Sequence, residues 1–120
     1  MKTVIVGATP NPSRYAYMAA DMLTEYEHEI VPVGIKRGEL FGKEILNIRA
    51  LPEINDVDTI TLYIGPQHQP EWYKYLIDLK PRRIIFNPGT ENPEFEKLAI
   101  ANNIEPVEAC TLVMLRTGQY

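Results

Sequence analysis

Thr3-Val4-Ile5-Val6 is a continuous apolar and β-branched run that ends in Gly7-Ala8, which predicts a central strand covered on both faces and not one that alternates toward water. After the punctuated stretch Thr9-Pro10-Asn11-Pro12, the residues Ala16, Ala19, Leu23 and Tyr26 recur at spacings of three, four and three, on one side of a helix. Ser13, or Asn11 with Pro12 as first helical residue, is the expected cap of that helix. Glu29-Ile30-Val31-Pro32-Val33 reads as a second strand that stops soon after its proline, which lacks an N–H for the ladder.

The middle of the chain is less periodic. Gly34, Gly38 and Gly42 predict loops, Glu44-Ile45-Leu46 a short strand, and Ile48 to Pro52 a turn. Thr59-Ile60-Thr61-Leu62-Tyr63-Ile64 is a strand ending at Gly65-Pro66, followed by a helix with Trp72, Leu76 and Leu79 on its core face. Arg83-Ile84-Ile85-Phe86 is a further buried strand, closed by Asn87-Pro88-Gly89. Asn92 caps a helix that starts at Pro93, carries Glu94 and Glu96 where the dipole favours acids, and shows Phe95, Leu98, Ala99 and Asn102 on one face. A last strand near Glu105–Cys110 and a helical turn near Thr111–Arg116 follow.

Strand and helix thus alternate. Right-handed crossovers join parallel neighbours, so the expected architecture is α/β: a three-layer, Rossmann-like doubly wound parallel sheet of five to six strands, order 3-2-1-4-5 with a sixth at the edge. Such sheets bind ligands outside the carboxyl ends of the strands, where the strand order reverses, here between the first and fourth strands.

The 120 residues are 45% hydrophobic and 23% charged, one domain's composition and length, and we expect a single domain over 1–120. Sixteen acids against twelve Lys and Arg leave a charge of −4, which provides no overall positive field for nucleic acid or anionic membrane, so an anion site must be local. The lone Cys110 fits a reducing cytosol, and the short apolar run at the N-terminus is no signal core or membrane span; a soluble, cytoplasmic protein is expected. No H-x-x-x-H or C-x-x-C spacing supports a metal.

At the predicted switch point, the turn Gly7-Ala8-Thr9 and the helix start at Ser13-Arg14 offer amides, hydroxyls and a guanidinium to a phosphate. The bland alternative is that Thr9 and Ser13 only cap and solvate the helix. The turn has neither GxGxxG nor GxxxxGK, which disfavours an ordinary dinucleotide fingerprint and a P-loop. Past the second strand, Val33-Gly34-Ile35-Lys36-Arg37 carries cations where NAD-binding folds carry an acid for the ribose diol. Lys36 and Arg37 are therefore either solvated loop charges or the recognition of a phosphorylated ribose, as in coenzyme A or NADP. Tyr63, Ile64 and Gly65, with Asn87 and Gly89, complete the lining.

His68 is the histidine nearest this site, but no nucleophile or orienting acid accompanies it, so no catalytic residue is assigned. Cys110 reads as a small buried apolar residue, with thiol chemistry as the alternative. Tyr73, beside the core face of its helix, is a candidate partner-facing residue.

Over nearly its whole length the chain resembles the small CoA-binding domain proteins related to the nucleotide-binding domain of the succinyl-CoA synthetase alpha subunit. The likeness rests on Val6-Gly7-Ala8-Thr9 with Asn11-Pro12-Ser13-Arg14, on Val31-Pro32-Val33, on Gly42-Lys43-Glu44-Ile45, on Val57-Asp58, and on Glu108-Ala109-Cys110. It departs from the family where Gly34-Ile35 replaces Asn-Pro and where Phe86-Asn87-Pro88-Gly89-Thr90 replaces a Trp-x-Gln-x-Gly turn. The resemblance implies non-catalytic binding of coenzyme A or acyl-CoA; the synthetase's phosphorylated histidine lies in a separate domain that has no counterpart in these residues. Two other readings stand beside it: an NADP-type dinucleotide binder or redox sensor, and a ligand-free protein-interaction module.

Overall fold

A computed structural model describes residues 1–120, and its first half runs β1 (Lys2–Val6), α1 (Tyr15–Glu25), β2 (Glu29–Gly34), β3 (Glu39–Leu40), β4 (Lys43–Glu44) and β5 (Leu46–Asn47). The second half runs β6 (Thr59–Leu62), α2 (Tyr73–Asp78), β7 (Arg83–Phe86), α3 (Pro93–Ala101), β8 (Glu105–Glu108) and α4 (Thr111–Arg116). Six strands form one parallel sheet, ordered β5-β2-β1-β6-β7-β8. This is the expected doubly wound order, with β5 as the third strand and β8 as the sixth at the edge.

β1 is central because Val4, Ile5 and Val6 have apolar cover on both sides. Val4 and Val6 join Ile60, Leu62, Ile84 and Phe86 in a cluster closed by Leu76 of α2 and Phe95 and Ala99 of α3. Ile5 faces the other way and packs with Ala16, Ala20 and Leu23 of α1 and Leu115 of α4. The sheet is therefore the middle of three layers. Pro32 sits opposite Ile5, and β5 joins β2 only beyond it, at Val33 and Gly34.

Local departures from the sequence reading have physical causes. α1 is capped neither by Ser13 nor by Asn11; Arg14 is the N-cap, with no side-chain cap, because Asn11 Oδ1 accepts from the Ser13 amide at 3.0 Å and the Ser13 hydroxyl at 2.8 Å. Those contacts fold residues 11–13 into an Asx turn ahead of the helix. Glu44-Ile45-Leu46 is not one strand. Lys43–Glu44 closes an antiparallel hairpin with Glu39–Leu40 across Phe41 and Gly42, both at positive φ, while Leu46–Asn47 joins the main sheet. The helix predicted through Trp72 is shorter than its periodicity suggests. Pro66 and Pro70 open two 3₁₀ turns, Pro66–His68 and Pro70–Trp72, and the α-helix begins only at Tyr73. α3 starts as predicted, with Asn92 Oδ1 accepting from the Phe95 amide at 3.1 Å and Pro93 in the first turn. Asn102 is exposed and donates back to the Leu98 carbonyl, so it is not on the core face. No helix is long and apolar enough to cross a membrane.

Candidate functional site

The carboxyl ends of β1, β2 and β6 meet at close range, and two glycines make this possible. Gly7 adopts φ +95°, and a Cβ there would stand 2.9 Å from the Tyr63 carbonyl oxygen. A Cβ on Gly34 would stand 3.1 Å from the Ala8 carbonyl oxygen. Val33, itself fully buried, accepts from both the Gly7 and Ala8 amides at 2.9 and 3.1 Å, and the Tyr63 amide donates to Val6 at 2.8 Å. The Gly7 and Ala8 amides that sequence reading offered to a ligand are thus engaged inside the protein. They build a floor at the carboxyl ends of these strands.

Above the floor, donors remain free. Thr9 Oγ1 accepts from the Asn11 amide at 3.2 Å, and the Asx turn consumes the Ser13 amide and hydroxyl. The Thr9, Tyr15 and Ala16 amides have no acceptor in the chain. No acid lies in the first turn of α1, so the helix dipole is uncompensated there. The loop after β2 folds toward the same end of the sheet. Gly38, at φ +144°, rests against Pro10 with an added Cβ only 3.1 Å from the proline ring, and this contact brings the exposed Ile35, Lys36 and Arg37 beside the first turn. Arg14, Lys36 and Arg37 enter none of the chain's ion pairs, which are Lys2–Glu29, Lys74–Asp78 and Arg82–Asp58. A protein of charge −4 therefore carries three cations free of ion pairs on the two loops that leave the carboxyl ends of β1 and β2.

The other predicted residues are placed differently. Tyr63 turns its ring toward the α1 layer, where burial pushes its phenol up to about 12, and its hydroxyl has no hydrogen-bond partner. Ile64 packs against the opposite cluster, and Gly65 lies under the Gln67 side chain. Asn87 is buried and its side chain is spent internally: Nδ2 donates to Thr61 Oγ1 at 2.6 Å and to the Leu62 carbonyl at 2.8 Å, and Oδ1 accepts from the Thr111 amide at 2.9 Å. Gly89 is open to solvent at φ +92°, and its amide donates to Glu91. His68 is exposed in the first 3₁₀ turn, and Cys110 is half-buried at the start of α4. Tyr73 is half-buried, stacked on Phe95 and bonded to Asn92 and Glu94. Sequence reasoning missed the Pro10–Gly38 contact that places the basic loop; its only trace is a glycine four residues beyond Gly34.

A family model for the CoA binding domain matches residues 1–116. No curated protein matches the chain. Among solved structures, the crystal structure of an uncharacterized protein is 56% identical, with a TM-score of 0.95 over 99% of this chain and 97% of that one. A protein of Thermus thermophilus is 25% identical, with a TM-score of 0.87 over 99% and 90% of the two chains. A conserved hypothetical protein from Pyrococcus furiosus is 26% identical, with a TM-score of 0.78 over 93% and 97%.

Proposed function

The chain belongs to the CoA binding domain family, and we propose from that premise that it binds coenzyme A or an acyl-CoA reversibly, without a catalytic step of its own. The observation that carries this reading is that Arg14, Lys36 and Arg37, on the loops after β1 and β2, have no acidic partner, and that α1 starts with no side-chain cap. Coenzyme A is a polyanion with a pyrophosphate and a phosphorylated ribose, and this donor set suits both. In the proposed mode the Thr9, Tyr15 and Ala16 amides and Arg14 take the pyrophosphate over the Gly7–Ala8 floor. Lys36, assisted by Arg37, meets the ribose phosphate, and Ile35 with the Tyr63–Gly65 backbone flanks the nucleoside. Val33 and Gly34 support these groups through packing. Asn87 supports them at a distance, by holding the end of β6.

Isothermal titration tests the reading. Coenzyme A should bind more tightly than its 3′-dephospho form by roughly three- to ten-fold, the scale of one exposed charge contact, and Lys36→Ala should remove that preference while added salt weakens both. Equal affinity of the wild type for the two ligands would remove Lys36 from its role. Absence of binding to either would remove the function, and tighter binding of NADPH would replace the ligand class.

A further inference from the structure

We propose that the outward face of α1 is a self-complementary interface for a second copy of this chain. One side of α1 is fixed by packing: Ala16, Ala19, Ala20 and Leu23 are buried against the sheet. Each helical residue turns the side-chain direction by about 100°, so Arg14, Met18, Asp21 and Glu25 run along the opposite side at spacings of four, three and four. All four are exposed, and Tyr15 beside them is 69% exposed.

The row has a polarity. Its N-terminal end carries a cation, its middle carries Met18 with Tyr15 alongside, and its C-terminal half carries two acids. None of Arg14, Asp21 and Glu25 has an ion-pair partner within the chain. A parallel pair of such helices would set like charges together. An antiparallel pair about a two-fold axis at Met18 does the reverse: it sets Met18 on the partner's Met18 and brings Arg14 between the partner's Asp21 and the partner's Glu25, twice over by symmetry. A groove of about 270 Å³ runs along the row, between α1 and α4, with Met18, Met22 and Leu112 in one part of its wall and Asp21, Glu25 and the α4 cation Arg116 in the rest. Its apolar part, at Met18, Met22 and Leu112, offers the partner's Tyr15 ring a seat. The chemistry and the symmetry both select a second copy as the occupant.

One helix row is smaller than the ~800 Å² per partner of a standard interface, so the association is weak, concentration-dependent and salt-sensitive. Arg14 and the Tyr15 amide are shared with the proposed phosphate cradle, and Met18 is not, so Met18→Lys is the variant that tests this interface apart from the ligand.

Sedimentation velocity over about 10 to 500 µM protein at low salt should show the mass rising toward twice that of the monomer, and about 0.5 M NaCl should shift it back. The double variant Asp21→Arg/Glu25→Arg should stay monomeric, and adding Arg14→Asp should restore association. Met18→Lys, which changes no acid, should also abolish it. A wild type that stays monomeric at every concentration overturns the proposal. So does association that survives the charge reversal or Met18→Lys, because the contact then lies on another face.

Discussion

Asn87 and Thr111 join two ends of the fold: the Thr111 amide at the start of α4 donates to Asn87 Oδ1 at 2.9 Å, while Asn87 Nδ2 holds the end of β6 through Thr61 and Leu62. Thr61 and Thr111 close the circle, their hydroxyls 2.8 Å apart. One amide side chain beyond β7 thus ties the switch-point strand to the last helix, in a buried setting where each lost bond leaves an unpaired group.

Asn87→Leu is expected to destabilise the protein by about 2 to 4 kcal/mol, because it strands the Thr111 amide and the Leu62 carbonyl away from water. Urea unfolding measures this. A loss below about 1 kcal/mol would mean that water or a shift of α4 satisfies these groups.

Gly7 and Gly89 both have positive φ, yet their surroundings differ, and so should their alanine variants. At Gly7 the new methyl meets the Tyr63 backbone at 2.9 Å, so Gly7→Ala should cost about 2 kcal/mol or more through strain plus displacement of the β6 end. At Gly89 nothing lies within 4 Å, and only the backbone conformation is penalised, about 1 kcal/mol. Equal losses in thermal unfolding would show that crowding at the switch point contributes nothing.

Glu96 on α3 supplies a pH-dependent prediction. Its Oε2 is buried without a partner, and burial first, then Glu108 and Glu91 nearby, raise its pKa above the ordinary 4.5. A raised pKa means that its favourable contribution is present below the unfolded value and is lost as pH rises through the folded one. Glu96→Gln removes the charged form, so the variant should exceed the wild type in melting temperature at pH 7 and match it below about pH 4. An advantage that grows toward acid would reverse the assignment.

The sheet was readable because its strands are mostly apolar, β-branched runs closed by glycine or proline: Thr3–Val6 and Arg83–Phe86 fall where the pattern puts them, and the strand expected over Thr59–Ile64 starts as expected and ends two residues early, at Leu62. α3 was readable for a similar reason, since Asn92-Pro93 announces both cap and first turn. The start of α1 was misread because two capping residues, Asn11 and Ser13, bond to each other instead of to the helix, a choice that local propensity does not resolve. Residues 34–52 were opaque since their pairings are two residues long and depend on neighbours far along the chain. The switch point between β1 and β6 and the basic residues on its loops were legible. Which amides stay free was not, because Val33, remote in sequence, takes those of Gly7 and Ala8.

Amide chemical-shift mapping on ¹⁵N-labelled protein during titration with coenzyme A tests the central claim most directly. The largest shifts should fall on Thr9, Tyr15, Ala16 and Lys36, the free donors and the basic loop around the start of α1. Shifts confined to the α1–α4 groove, to the β8 edge, or absent altogether at saturating ligand would contradict the account.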